Sequence, residues 1–455
     1  MDRLKEISDY CLNCINKPCE NNGCPQHNNI PEFLHAKSKE DAYEIITRTN
    51  LLPAITGRIC PFSKQCQGSC TRNYTGEPVN IGEYEAIIGD YSIEKGLKIS
   101  KDIDEKLIDK KVCIIGSGPC GLTCAGFLAR KGVKVTLLEK NNELGGLLRF
   151  GIPDFRLGRE LIDKTIEKIL ELGVEVHTNT KIESYEKLKE LTKEYDYVFL
   201  ATGANEPKIT LEGNNVLSAN KILEEINIQK EKIKFENLQI NKNSSNLEYE
   251  KLNESQENNN EISLNTNQDD DKIKYKIPDF ANKKVIVSGG GNVAIDIART
   301  LVRYNADVTV VYRRSEKEMP AETIEIEKAK EENVKFLFQT NILSKEDKQI
   351  KCIKTKLVQT ADDERPHPVN IENTEFYIDC DYVLIATGST SDKEMLDNCK
   401  IETKENGYVK VNENFKTSNP KIFAGGDIVG TKATVANAAR NGYLVANEII
   451  KLFEE

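Results

Sequence analysis

The chain holds 455 residues, long enough for two or three domains, each with its own core. Its 73 acidic against 63 basic residues give a formal net charge of −10, which excludes the basic face that nucleic-acid phosphates require. No apolar run approaches the roughly 18 residues of a membrane helix and the N-terminus MDRLKEISDY is polar, so the expectation is a cytoplasmic chain with neither membrane nor nucleic acid as partner.

The first hundred residues pattern as short helices around a cluster of seven cysteines: Cys11, Cys14, Cys19, Cys24, Cys60, Cys66 and Cys70. The other six of the thirteen (Cys113, Cys120, Cys124, Cys352, Cys380 and Cys399) are scattered among apolar residues and read as small buried hydrophobes. From Lys110 the pattern changes to strand, glycine turn, helix, strand: KVCIIGSGPCGLTCAGFLARKGVKVTLLEK is a complete βαβ unit. Gly116, Gly118 and Gly121 complete GxGxxG, with Pro119 between them. The first glycine allows the tight turn, the second lets a pyrophosphate approach the backbone, and the third lets helix lie against strand. Glu139 ends the second strand, where a carboxylate accepts the ribose hydroxyls.

The stretch beginning KEKIKFENLQINKNSSNLEYEKLNESQENNN, within residues 227–277, is too polar to offset chain entropy by burial and reads as a loosely ordered insertion. The βαβ pattern then returns at KKVIVSGGGNVAIDIARTLVRYNADVTVVYRR. Gly289 to Tyr312 spans 312 − 289 = 23 positions, as Gly116 to Glu139 does (139 − 116 = 23), so the two units form an internal repeat. Gly289 and Gly291 lead into the second helix, and Ala294 takes the place of the third glycine. Where the first unit has a carboxylate, this one has Tyr312 followed by Arg313 and Arg314. Guanidinium groups there favour a 2′-phosphate, hence NADPH over NADH. DYVFLATGA and DYVLIATGS look like the points where the chain passes between two nucleotide domains, which makes the first of them discontinuous.

FAD rather than NAD in the first fold is argued by FAGGDIVG near the C-terminus. Its Asp427 follows a glycine pair, and a small-residue helix comes next whose N-terminal dipole can stabilise charge on a reduced flavin. Flavin and nicotinamide together imply hydride transfer, which demands no catalytic proton donor from the chain. The cysteine spacing suits iron–sulfur clusters, zinc or, less well in a reducing compartment, disulfides. A redox-inert zinc ion has no evident purpose beside a flavin, whereas clusters accept its electrons singly, so clusters are the favoured reading.

The motifs CLNC…CPQHNNIPEF, NLLPAITGRICPFSKQCQGSC, EPVNIGEYE, GSGPCGL, ELGGLLRFGIPDFRL, ATG, GGGNVAID, VYRRSEKEMPA and FAGGD together resemble the small (β) subunit family of NADPH-dependent glutamate synthase. Relatives include the N-terminal half of dihydropyrimidine dehydrogenase and the large subunit of NADH-dependent ferredoxin:NADP oxidoreductase. The resemblance covers nearly the whole chain, the polar insertion excepted. It implies an α/β fold with two Rossmann-like, pyridine nucleotide-disulfide oxidoreductase-like domains behind a helical Cys-rich iron–sulfur domain. The expected layout is 1–105 for the cluster domain, 106–226 and 391–455 for the two parts of the FAD domain, 227–277 for the insertion and 278–390 for the NADPH domain.

The same resemblance implies two interleaved 4Fe–4S clusters. Cys11, Cys14, Cys19 and Cys70 would hold one. Cys24, Cys60 and Cys66 would hold the other, completed by Glu85 of IGEYE, with Glu83 as the near alternative. Gly145 and Gly146 would lie along the flavin, Thr434 and Val435 by its pyrimidine end, and Asn292 and Val293 at the NADPH pyrophosphate. The implied activity is electron transfer from NADPH through FAD and the clusters to a partner, either the glutamate synthase large subunit or a ferredoxin-linked subunit. Electron input to another reductase is the alternative. A non-catalytic assembly module with merely structural nucleotide folds would purify without flavin absorbance.

Overall fold

The computed structural model describes residues 3–244, 277–359 and 366–455. Two compact units emerge: residues 1–208 with 388–455, and residues 209–387. The chain thus leaves the first unit at Lys208, a few residues past the first ATG segment, and returns at Gly388 in the second.

The first unit opens with helices α1 (Arg3–Tyr10), α2 (Ile30–Leu34), α3 (Lys39–Thr47), α4 (Pro53–Ile59) and α5 (Ile81–Glu94). Ser38 starts α3 by accepting from Asp41 N at 3.0 Å, and Pro53 suits the first turn of α4, where no N–H partner is needed. Helices α4 and α5 touch backbone to backbone. A Cβ on Gly57 would sit 2.4 Å from Ala86 N, and one on Gly89 would sit 2.3 Å from Ala54 N. Phe33, Ile46, Leu52, Ile55 and Ile88 fill the core around this crossing.

A five-stranded parallel sheet follows, built from β1 (Lys111–Ile115), α6 (Pro119–Arg130), β2 (Lys134–Leu138), α7 (Leu147–Phe150), α8 (Arg159–Leu170), β3 (Glu175–His177), α9 (Tyr185–Glu194) and β4 (Tyr197–Leu200), after which β5 (Glu206–Pro207) leads out of the unit. The N-terminal helices and this nucleotide fold share one continuous apolar core. Leu51 packs where a Cβ on Gly126 would come within 2.4 Å, Arg130 Nη1 donates to Thr47 O at 2.9 Å, and Lys168 Nζ donates to Ser92 O at 2.8 Å. Composition separates these regions, yet packing makes them one body.

The second unit runs β6 (Val216–Ser218), α10 (Ala219–Ser244), β7 (Lys284–Ser288), α11 (Asn292–Val302), β8 (Asp307–Tyr312), α12 (Thr323–Glu331) and β9 (Lys335–Phe338). It continues through the antiparallel group β10 (Thr340–Glu346), β11 (Gln349–Val358), β12 (His367–Asn370) and β13 (Phe376–Asp379), then β14 (Tyr382–Ile385). Its parallel sheet has the order β6-β14-β7-β8-β9. Helix α10 carries regular structure into the polar stretch as far as residue 244, anchored upstream by buried Ile222, Leu223 and Ile226; residues 245–276 lie outside the described residues. The chain then closes the first unit with β15 (Ser389–Thr390), which pairs with β5, α13 (Lys393–Asn398), β16 (Ile422–Ala424) and α14 (Val435–Glu454), giving the sheet order β16-β4-β1-β2-β3.

In both parallel sheets the strand that opens the βαβ unit lies between neighbours that wind in opposite directions, β4 and β2 about β1, β14 and β8 about β7. That is the topological switch point, and ligands bind beyond its carboxyl ends. Both glycine loops open there.

Within the second unit, Arg299 is buried on α11 and bridges Glu325 and Glu332, the latter at 2.6 Å, while Arg303 Nη1 reaches Glu332 at 2.7 Å. Burial pushes the Glu332 carboxyl up, but the two arginine hydrogen bonds outweigh it and hold it at about 2 against an ordinary 4.5. A carboxyl depressed on folding stabilises above its unfolded pKa and loses that contribution as pH falls toward the folded one. Glu332→Gln should therefore cost about 1–3 kcal/mol at pH 7, with the penalty shrinking below pH ~4.5. Urea unfolding followed by far-UV circular dichroism at pH 7 and about pH 3.5 measures both.

Candidate functional site

At the first switch point, Gly116 adopts φ +105°, and a Cβ there would meet Ala201 O, just past β4, at 2.5 Å. A Cβ on Gly121 would lie 1.9 Å from Gly116 O, so no other residue permits this strand–helix approach. Gly118 caps α6 with nothing within 4 Å of its Cβ direction, and Pro119 starts the helix, leaving room and free N–H groups for a pyrophosphate. Glu139 is buried after β2. Its Oε2 accepts from Ser117 N at 3.0 Å and Ser117 Oγ at 2.5 Å, its Oε1 from Asn141 N at 2.9 Å. A carboxylate offers about four acceptor positions, so capacity for a ribose hydroxyl remains. Ser117 Oγ also accepts from Gly145 N at 3.1 Å, which draws Gly145 and Gly146 over the loop until a Gly146 Cβ would lie 3.0 Å from Gly118 Cα.

The C-terminal elements complete this groove. Gly426 lies against Cys120 of α6, and Asp427 follows it. Asp427 Oδ1 is buried with no hydrogen-bond partner among the described residues, and burial pushes its carboxyl up to about 6. Such an atom fits a ligand that brings an O–H or N–H donor. Thr434 caps α14, accepting from Asn437 N at 3.2 Å, and Val435 is the first helical residue. Helix α14 grips α6 through Gly442, whose Cβ would meet Cys120 O at 2.2 Å. The residues present fit a flavin dinucleotide.

At the second switch point, Gly289 has φ +148° and faces Ala386 O, just past β14, as Gly116 faces Ala201 O. Gly291 caps α11 with open space before it, while Asn292 and Val293 form the helix start. Ala294 is fully buried, so here the helix stands far enough from the strand to admit a methyl group. Asn292 Oδ1 accepts from Glu322 N at 3.3 Å, and the Tyr312 ring lies against Gly290, its hydroxyl donating to Glu318 O at 2.8 Å. The two arginines part ways. Arg314 Nε donates to Pro366 O at 3.0 Å, whereas the exposed Arg313 guanidinium has no acceptor among the described residues.

None of the thirteen cysteines, seven of them in the N-terminal region, forms a disulfide. Cys11, Cys14, Cys19 and Cys70 line one partly open cavity, walled by Leu34 and Ile81 among others. Burial pushes the Cys11 thiol up and Cys19 up to about 12. A second group forms where Gly23 lets the Cys24 loop pack on Cys66: a Gly23 Cβ would lie 2.8 Å from Cys66 Cα. Burial pushes Cys24 up to about 11 and Cys66 well above its usual value, with the Glu85 charge adding to both. Cys60 caps the C-terminus of α4.

Glu85 is buried on α5 facing α4. Its Oε1 accepts from Asn50 Nδ2 at 2.9 Å and from Thr56 Oγ1, which leaves Oε2 available. Burial raises it to about 7. Glu83 points elsewhere, taken by Arg3 at 2.6 and 2.8 Å and by Asn80. Among the described residues no three His, Cys, Asp or Glu groups converge as ligands of a single metal ion. Thiols gathered in number around one pocket are the donor type that iron–sulfur clusters take. The donor set fits clusters.

Sequence reasoning missed Ser117, Asn441, Asn50 and Thr56. Ser117 occupies a variable position of GxGxxG, and Asn441, which accepts from Gly426 N at 3.0 Å, sits in a small-residue helix. Asn50 and Thr56 carried a usable cue: polar side chains within the apolar run NLLPAIT.

A pyridine nucleotide-disulphide oxidoreductase model matches residues 110–442, and a dihydropyrimidine dehydrogenase domain II, 4Fe–4S cluster model matches residues 2–97. The Escherichia coli (strain K12) glutamate synthase (NADPH) small chain is 33% identical over 99% of this chain and 92% of its own length. The β subunit of the NADP(+)-dependent formate dehydrogenase of Moorella thermoacetica is 31% identical over 96% of this chain and 60% of its own. The structure of Mycobacterium tuberculosis FprA in complex with NADPH superposes with a TM-score of 0.57 at 16% identity, covering 76% of this chain and 85% of that one, a likeness of fold. No helix among the described residues is long and apolar enough to cross a membrane. The chain belongs to the glutamate synthase (NADPH) small-chain family of oxidoreductases, a pyridine nucleotide-disulphide oxidoreductase fold behind a 4Fe–4S domain.

Proposed function

We propose that this chain takes electrons from NADPH and delivers them to a partner subunit, as the small subunit of a glutamate synthase that forms glutamate from glutamine and 2-oxoglutarate. The observation that carries this reading is the cavity lined by Cys11, Cys14, Cys19 and Cys70, in the same unit as the FAD groove. As a member of its family the chain works with FAD, NADPH and iron–sulfur clusters. Bound together, these groups would carry a hydride, two electrons with one proton, from the nicotinamide to the flavin and pass the electrons on one at a time.

The residues have distinct tasks in this reading. Glu139 orients the FAD ribose, the α6 N-terminus holds the pyrophosphate and Gly145 and Gly146 lie along the flavin. Asp427 accepts from a flavin-side donor, and the α14 N-terminus at Thr434 and Val435 offers positive dipole to negative charge. Gly289, Gly291, Asn292, Val293 and Ala294 shape the NADPH pyrophosphate site, and Arg313, supported by Arg314, pairs with the 2′-phosphate. Cys11, Cys14, Cys19 and Cys70 hold one 4Fe–4S cluster; Cys24, Cys60, Cys66 and Glu85 hold a second.

A second reading, electron input to another reductase such as a ferredoxin-linked transhydrogenase, is favoured by the similarity to the Moorella formate dehydrogenase β subunit. Anaerobic purification from the native host separates them. Recovery of a large subunit with glutamine- and 2-oxoglutarate-dependent NADPH oxidation supports the first, a ferredoxin-reducing partner installs the second, and flavin-loaded protein without iron overturns both.

Arg313→Ala should raise the NADPH KM about tenfold or more while moving the NADH KM less than twofold, since only the 2′-phosphate contact is lost. An unchanged preference in steady-state assays removes Arg313 from the site. Glu85→Gln should keep the flavin but lose or alter one of two cluster signals in electron paramagnetic resonance, with iron content falling by up to half. Two unaltered signals at full iron would assign the eighth ligand elsewhere.

A further inference from the structure

Arg440 lies on α14 five residues past Val435, about 8 Å along the axis from the helix end assigned to the flavin. It is half-buried, yet no carboxylate among the described residues pairs with it. Its Nη1 donates to the carbonyl oxygen of Gln26 at 3.4 Å, and its guanidinium lies 5.3 Å from the Tyr443 ring centroid. Taking a cation out of water without an anion is costly, so a partner of opposite charge is expected nearby. Apart from Tyr443, the ionisable group facing it is Cys24.

The geometry between them is specific. Backbone N–H groups of Asn28, Gln26 and His27 turn toward the Cys24 sulfur. The carbonyl that Arg440 holds and the N–H of His27 belong to one peptide unit. A cation on that oxygen polarises the peptide and strengthens its N–H as a donor to Cys24. His27 takes φ +50°, and its N–H donates to the Cys24 carbonyl oxygen at 3.0 Å, which fixes the turn around the sulfur. The Gln26 side chain is buried in the same corner, 2% exposed.

We propose that Arg440 is a positioning residue that raises the reduction potential of the Cys24/Cys60/Cys66/Glu85 centre, both by its charge and through the Gln26–His27 peptide. Positive charge and N–H···S bonds favour the reduced, more negative cluster. The electron that enters this centre comes from reduced flavin, itself charged by the NADPH hydride, so no further reductant is required. The inference rests on the ligand reading given above.

The test compares wild type with Arg440→Gln and Arg440→Lys, purified without oxygen, by iron and sulfide content and by redox titration followed by electron paramagnetic resonance. The signal altered by Glu85→Gln marks the centre in question. Arg440→Gln should retain iron and flavin while that centre's reduction equilibrium falls about tenfold, ~59 mV for one electron, with the other centre unmoved. Arg440→Lys keeps the charge and should recover most of the difference. The proposal is overturned if Arg440→Gln moves neither midpoint, or moves both equally. Should Arg440→Gln not fold, a folded Arg440→Lys that shows the full fall would equally overturn the role of charge. Iron-free wild type would instead defeat the ligand reading, and this proposal with it.

Discussion

Helix α6 is held at glycines on two sides, and the first unit depends on that grip. On one side Gly442 of α14 leaves room for a Cβ only 2.2 Å from Cys120 O; on the other, Leu51 of the N-terminal helices presses where a Gly126 Cβ would come within 2.4 Å. The α6 N-terminus faces the dinucleotide groove, so this contact fixes the groove, the flavin helix and the cysteine loops relative to one another. Protein interiors pack too densely for such a contact to yield gradually. Electron carriers bound to one shared core keep fixed separations, which a pair of domains on a flexible linker would not ensure.

The parts of this arrangement that were legible in the sequence are those where chemistry forces a local pattern. Both glycine loops had to be read as nucleotide turns, because Gly116 and Gly289 each press on the residue after a distant strand, Ala201 and Ala386, and only glycine tolerates that approach at positive φ. The cysteine spacing was legible for a similar reason. The merger of the cysteine region with the nucleotide fold was not, since it arises from contacts such as Arg130 with Thr47 and Lys168 with Ser92, between residues more than seventy positions apart. Helix α10 also outran its reading: its anchoring residues Ile222, Leu223 and Ile226 precede the polar stretch, and the helix runs on from them to residue 244.

Within the site, the sequence offered residue types but not their protonation or partners. Arg313 and Arg314 were adjacent and equivalent as text, and a carbonyl at Pro366 separates them. Glu83 and Glu85 were likewise near-equal candidates until Arg3 claimed one and the α4 face buried the other. A difference of two positions on a helix is about 200°, enough to move a carboxylate from solvent to core.

Burial raises two carboxyl groups of the first unit, Glu85 to about 7 and Asp427 to about 6. Their surroundings assign them different chemistry. Glu85 receives two protein donors on Oε1, so its charge is partly met, and the same charge bears on the buried Cys24 and Cys66 thiols. Asp427 has an oxygen with no donor among the described residues and a small-residue helix and glycine pair around it, which suits a neutral donor on an organic ligand. In the ligand reading proposed above, the buried thiols beside Glu85 would shed their protons on binding iron, since metal binding and deprotonation are coupled events. A nearby cation that favours the anionic state serves both, and the half-buried Arg440 is the residue placed to supply it.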